Sequence, residues 1–265
     1  MAPITSAAPA PVAPRRVLSV NLGRATAVDY TDAEGGATGI GKRPVPGPVR
    51  VSSPGPKGIG AGGLDGDAVC DLRHHGGDHQ AVYAYAREDL DWWERELGRT
   101  LPAGLFGENL TTTGLDLTGA LLGERWRVGA DLVLEVASAR IPCRTFQGAL
   151  GEKAWVKRFT RAARPGAYLR VVQEGPVSPG DRVEVLHRPD HDVTVELWFR
   201  AFTTERSLLP RTLAAGAAME PAGHEAVRSY LEKYGERARV RTGSAVTGPG
   251  VGADAAAPAR EVADK

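Results

Sequence analysis

At 265 residues, with 33 lysines and arginines against 32 aspartates and glutamates, the chain has a formal net charge of +1. That balance excludes the electrostatic footprint of a protein that binds nucleic acid or an anionic membrane through charge. Two cysteines cannot build a disulfide framework, and no apolar run approaches the roughly 18 residues that cross a bilayer, so a cytoplasmic location is expected.

Residues 1–15 and 241–265 are rich in Ala, Pro, Gly and charge without periodicity and are predicted to be disordered tails. The first of them lacks the basic and apolar regions of a signal peptide. Strands are predicted at Val17–Leu22, Pro48–Ser52, Ala81–Tyr85, Arg125–Val128, Leu132–Ala137, Tyr168–Val172 and Arg182–Leu186. Gly, Pro and Asp punctuate them, which favours an antiparallel barrel or folded sheet over a doubly wound α/β fold. Two helices interrupt the series. Arg87–Leu97 aligns Leu90, Trp93 and Leu97 and stops at Gly98; Glu152–Ala163 aligns Trp155, Val156 and Phe159 and ends before Pro165. Val193–Phe202 fits both strand alternation and a helix face. Leu208–Ala218 and His224–Tyr234 read as helices with Pro210 and Pro221 near their starts. The expected class is mainly β with α: one sheet-rich domain over 16–187 and a small helical unit over 192–238.

Chemistry concentrates around Cys143. It follows the strand Leu132–Ala137 in Ser138-Ala139-Arg140-Ile141-Pro142-Cys143-Arg144, and Pro142 ends the strand so that the thiol lies in a loop. Arg140 and Arg144 flank the sulfur, and positive charge favours the nucleophilic, metal-binding thiolate. Cys70, between Val69 and Asp71, reads as a packed side chain.

The other motifs are more ambiguous. Gly58-Ile59-Gly60-Ala61-Gly62-Gly63 matches G-x-G-x-x-G, but Ser53-Pro54-Gly55-Pro56 precedes it and a turn follows, which argues against a dinucleotide site. In Asp71-Leu72-Arg73-His74-His75-Gly76-Gly77-Asp78-His79, a zinc site would need His75 and His79 on a helix that Gly76-Gly77 disfavours. Amides of the Gly-Gly turn beside Arg73 and His75 better suit an anion, or the segment is a polar turn. Glu108 and Asn109 in Phe106-Gly107-Glu108-Asn109-Leu110 could bind a heterocycle edge or fix a loop. Lys42 and Arg43 beside Gly39 and Gly41 suit a phosphate or a solvated turn.

In order, Gly39-Ile40-Gly41-Lys42-Arg43-Pro44-Val45, the Asp71–Gly77 block, Ala81-Val82-Tyr83-Ala84-Tyr85, Phe106–Leu110 and Arg140-Ile141-Pro142-Cys143 resemble the MOSC family, domains related to the molybdenum cofactor sulfurase C-terminus. The resemblance is to the YiiM type, bacterial proteins conferring resistance to N-hydroxylated base analogues, and covers roughly residues 16–187. Thr194–Arg211 resembles the three-helix appendage of that subgroup and turns the ambiguous segment toward helix. The resemblance implies a β-barrel carrying a molybdopterin-type molybdenum cofactor, with Cys143 as molybdenum ligand and catalytic residue. It places Lys42, Arg73 and His75 at the pterin phosphate, Glu108 and Asn109 at the pterin edge or the loop beneath it, and Arg140 and Arg144 beside the sulfur. The implied reaction is reductive dehydroxylation, R–NHOH to R–NH2, with electrons from a partner flavin or iron–sulfur reductase. A cofactor or sulfur carrier without turnover, and a non-catalytic binding module, are the alternatives.

Overall fold

The computed structural model describes residues 14–242. Arg16–Leu22 forms β1, in which a register shift between Val17 and Ser19 lets Val17 and Val20 both be fully buried. Short strands follow: β2 Thr26–Ala27, β3 Ala37–Thr38, β4 Arg43–Val45 and β5 Val49–Val51. The continuously buried β6, Val82–Ala86, runs directly into α1, Arg87–Leu97. Then come β7 Leu110–Thr113, β8 Arg125–Val128, β9 Leu132–Ala139, α2 Arg144–Leu150, α3 Trp155–Ala162, β10 Ala167–Gln173, β11 Gly175–Val177 and β12 Val183–His187. Three α-helices complete the described chain: α4 Val195–Thr203, α5 Leu209–Thr212 and α6 Pro221–Thr242. Among the described residues no helix is long and apolar enough to cross a membrane.

The main sheet has the order β12-β8-β9-β10-β6-β7-β1-β4. Every pairing in it is antiparallel except β6 with β7. That parallel pair needs a crossover rather than a hairpin, which α1 and the loop after it provide. The expected class, mainly β with helices, is what the chain adopts. The barrel, however, is not a continuous closed ladder. The N-terminal half of β1 meets the chain entering β12 at one bridge among the described residues, Arg16 with Arg182, flanked by Val17 N–H to Asp181 O at 2.9 Å, Gly180 N–H to Val17 O at 2.8 Å and Val183 N–H to Arg15 O at 3.0 Å.

The helices cover an aromatic core. Trp93 of α1, Phe146 of α2, Trp155 and Phe159 of α3 and Phe106 of the crossover loop are all buried, with Trp93 and Trp155 centroids 4.4 Å apart. Burying each such side chain contributes about 1.5–3 kcal/mol before entropy is counted, which is what holds α2 and α3 on the sheet. Helix α1 has the bounds its periodicity predicts and stops at Gly98, whose φ is 65°. The expected helix 152–163 is shorter, starting at Trp155. Helix α2 was not predicted; it is seven residues long, too short for a periodic signal, and holds a mid-helix glycine. That glycine has a packing cause: a Cβ at Gly148 would lie 2.4 Å from the Tyr30 ring.

The ambiguous 193–202 segment is α4, capped by Thr194, whose hydroxyl accepts from Leu197 N–H at 3.0 Å. Its Val195, Trp198 and Phe199 are buried, and it packs against β9. The expected single helix 208–218 is broken into a 3-10 turn at Arg206–Leu208, α5, and a 3-10 stretch Leu213–Ala218 interrupted at Gly216. The expected 192–238 unit thus contains three α-helices, yet the compact units divide at Val227/Arg228, so α4 and α5 belong with the sheet. In the second unit, the rings of Tyr230 and Tyr234 of α6 lie 5.2 Å apart, tilted by 44°. The predicted tails fall largely on 1–13 and 243–265, outside the described residues.

Candidate functional site

Strand β9 delivers Arg140 just beyond its end, and the chain turns through Pro142 to Cys143, the extended residue that precedes α2. The Cys143 thiol is half-buried and makes no capping hydrogen bond. Arg140 is 5% exposed. Its Nη1 donates to the Phe106 carbonyl at 2.6 Å, and its guanidinium carbon lies 4.2 Å from the Phe146 centroid and 5.2 Å from that of Tyr83. Among the described residues no carboxylate forms an ion pair with it, and its buried Nε has no partner. Gly107 makes this approach feasible: φ is 80°, and a Cβ there would sit 3.2 Å from Arg140 Nη1 and 3.0 Å from Ile40.

Lys42 lies on the same cluster, its side chain 8% exposed and paired with Asp67, 2% exposed. Asp67 also accepts from Gly23 N–H at 2.7 Å and from Asn109 Nδ2 at 2.9 Å. Burial pulls the Lys42 ammonium below its ordinary range, the Asp67 carboxylate opposes this, and Arg140 adds repulsion. Asn109 in turn accepts from Tyr83 N–H at 3.1 Å, so it braces Asp67 to β6. Cys70 is half-buried beside this pair; burial pushes its thiol up and Lys42 pulls it down.

Glu108 is turned into the crossover loop. It is fully buried and accepts from Gly104 N–H at 2.6 Å, Phe106 N–H at 3.1 Å and the Thr111 hydroxyl at 3.0 Å. Burial raises its carboxyl above the ordinary glutamate range while these donors draw it back. Glu108 shapes the crossover loop that presents the Phe106 carbonyl to Arg140, and it offers no open edge to a pterin.

His75 stands before Gly76 and Gly77, both in the left-handed region. The glycine-rich loop docks on this turn: Gly77 N–H donates to Gly60 O and Ala61 O, both at 3.0 Å, and a Cβ at Gly77 would meet Lys57 at 2.6 Å. That loop is followed by no helix, as its flanks predict. Burial and the nearby Arg140 charge lower the His75 imidazole to about 4, so it is neutral at pH 7. Arg73 is not part of this cluster. It is exposed and held by Asp71 at 3.0 Å and Glu34 at 3.3 Å, with a further bond to Asp32 O, because Asp71 two residues earlier captures it. Arg144, in the first turn of α2, is exposed. Among the described residues no three His, Cys, Asp or Glu side chains are grouped to hold a metal.

Sequence reasoning missed Asp67 and two tyrosines. Strand pairing sets Tyr83, Tyr168 and Ser138 in one row across β6, β10 and β9, and Arg140 is two residues past Ser138, on the same face. Tyr83 donates to Pro165 O at 2.7 Å. Tyr168, half-buried, lies 5.0 Å from the Tyr83 centroid. Burial raises the Tyr168 hydroxyl above its ordinary range against the pull of Arg140, with Cys143 close enough to add to the rise. No hydrogen bond among the described residues uses that hydroxyl. Only cross-strand register reveals this row, which single-strand alternation does not contain.

The family model of the MOSC domain matches residues 71–184. The chain is 35% identical over 180 residues to the uncharacterized protein YflK of Bacillus subtilis (strain 168), across 68% of this chain and 77% of that one. It is 31% identical over 137 residues to Protein YiiM of Escherichia coli (strain K12), across 51% of this chain and 60% of YiiM. The crystal structure of YiiM from Geobacillus stearothermophilus shares the fold with a TM-score of 0.65 at 24% identity, covering 82% of this chain and 100% of that one.

Proposed function

Because the chain belongs to the MOSC domain family and to its YiiM-type subgroup, we propose that it reduces N-hydroxylated compounds, base analogues and related hydroxylamines among them, to their amines on a molybdopterin-type molybdenum cofactor. The observation that carries this reading is Arg140: a buried guanidinium with no carboxylate partner and an unpartnered Nε, one turn of chain from the Cys143 thiol. A buried unpaired charge is costly, and an anionic group bound beside the thiol would relieve it. The donor set fits such a cofactor. Cys143 offers soft sulfur to the metal, Arg140 and Lys42 offer charge to its anionic parts, and neutral His75 offers a ring nitrogen.

The bound cofactor would supply two-electron oxygen removal, R–NHOH with two electrons and two protons giving R–NH2 and water. The protein's own part is to hold charge and exclude water. Phe146 and Tyr83 shield Arg140, Asp67 fixes Lys42, and the Glu108 loop keeps the Phe106 carbonyl on Nη1. The chain holds no flavin or iron–sulfur motif, so electrons would come from a flavin or iron–sulfur reductase. Arg73 and Arg144 have no place in this reading.

The test compares Cys143→Ser with Cys70→Ser for melting temperature, bound molybdenum and turnover of a hydroxylamine with an artificial electron donor. Cys143→Ser should fold normally and lose turnover, while Cys70→Ser keeps it. Full turnover by Cys143→Ser would end the reading. Molybdenum bound by the wild type without any turnover would make the protein a carrier instead.

A further inference from the structure

We infer that Tyr168 is the residue that reads the N-hydroxyl group, donating its phenolic hydrogen to the hydroxyl oxygen of the substrate. The inference deepens the proposed reaction and rests on it. Three independent features place Tyr168 there. Cross-strand register sets it between Tyr83 and Ser138, on the face where Arg140 follows. Its ring is seated against Tyr83 at 5.0 Å with 37° between the planes, so its direction is fixed from one side while the residue stays half-buried. Its hydroxyl, unlike those of Tyr83 and Tyr85, which donate to Pro165 O and Arg164 O, is taken by no acceptor among the described residues.

That contrast is the informative part. Tyr83 and Tyr85 are buried and give their O–H to backbone carbonyls, as buried tyrosines ordinarily do, whereas Tyr168 is half-buried and gives its O–H to none. Tyr168 pairs directly with Tyr83, whose ring centroid lies 5.2 Å from the Arg140 guanidinium carbon, so its unbonded hydroxyl belongs to the neighbourhood of Arg140 and Cys143. Glu220 is the carboxylate whose field reaches the same hydroxyl, yet no hydrogen bond joins them. A neutral donor there suits the neutral oxygen of an N–OH group, and it leaves the amine product, which lacks that oxygen, with one interaction fewer. Tyr168 would therefore separate substrate from product in binding, before any electron arrives.

The experiment measures equilibrium binding of 6-N-hydroxylaminopurine and of adenine, its amine, to the molybdenum-loaded protein without an electron donor. The wild type should prefer the N-hydroxylated base by about tenfold, the worth of one neutral hydrogen bond. Tyr168→Phe keeps the ring against Tyr83, so melting temperature and molybdenum content should not change. The preference should fall to near one, and KM with an artificial donor should rise by a similar factor. Tyr168→Leu should weaken both ligands as well as erase the preference. A tenfold preference that survives in Tyr168→Phe, or a wild type that binds both bases equally, would overturn the inference. If the preference and its loss are seen but the wild type reduces no hydroxylamine, the proposed reaction fails while the assignment of Tyr168 stands.

Discussion

The Arg140 guanidinium lies 4.2 Å above the Phe146 ring centroid, which makes an aromatic face and one carbonyl the main supports of a buried cation. Cation–π contacts reach about 2 kcal/mol when desolvated, less than the several kcal/mol that burying an ion costs. The residual cost is tolerable only if something else rewards the charge.

Arg140→Met keeps length and apolar packing on Phe146 while removing the charge. The cofactor-free variant should be as stable as the wild type to within about 1 kcal/mol, since replacing a poorly compensated buried ion is often neutral or stabilising. Molybdenum content after cofactor loading should nevertheless drop at least about tenfold, the loss of one charge-assisted hydrogen bond. Urea melts and metal analysis check both halves, and retained molybdenum would contradict the role given to Arg140.

Asp67→Asn leaves Lys42 buried without its counter-charge. Breaking one side of such a pair should cost about 3–5 kcal/mol, read as a lower urea midpoint. Replacing both, Lys42→Met with Asp67→Leu, should recover part of that loss in a double-mutant cycle.

Glu108→Gln keeps shape but exchanges a carboxylate that takes three donors for an amide with one acceptor. A loss of about 2–3 kcal/mol is expected from charge-assisted bonds becoming neutral or clashing. Thermal melts of the cofactor-free protein measure it without reference to catalysis.

His75 gives a pH signature. Its imidazole is lowered from 6.5 to about 4 in the folded chain, so between those values the unfolded chain binds a proton that the folded chain does not. Stability contributed by neutral His75 is full above about pH 6.5, falls as pH falls, and levels off below about 4, at most about 3 kcal/mol. His75→Gln should flatten that part of the curve in urea midpoints measured from pH 8 to 4.

The sheet was legible where a strand is rich in aliphatic residues, as in Val17–Leu22 and Leu132–Ala137, and α1 starts and stops where its apolar face and Gly98 require. Cys143, Arg140 and Lys42 stand out as candidates from local chemistry and family resemblance, and in the fold the Arg140 charge reaches both Lys42 and His75. Arg73 misled because its charge says nothing about Asp71 lying two residues away to capture it. Asp67 and Tyr168 were hidden for another reason. Each matters through a partner far off in sequence, Lys42 or Tyr83, and register across strands appears only once the chain is folded.

The seam between β1 and β12 has a consequence for where the molecule can loosen. With the Arg16–Arg182 bridge and three flanking backbone hydrogen bonds across it among the described residues, the sheet can part there while every ladder stays intact. Counting strands from either side of the seam, β10 is fourth, as far from it as the sheet allows. Tyr168 therefore stands at the mechanical antipode of the joint, where breathing of the seam is damped by three paired strands on each side, and a donor held by register and by the Tyr83 ring keeps its aim.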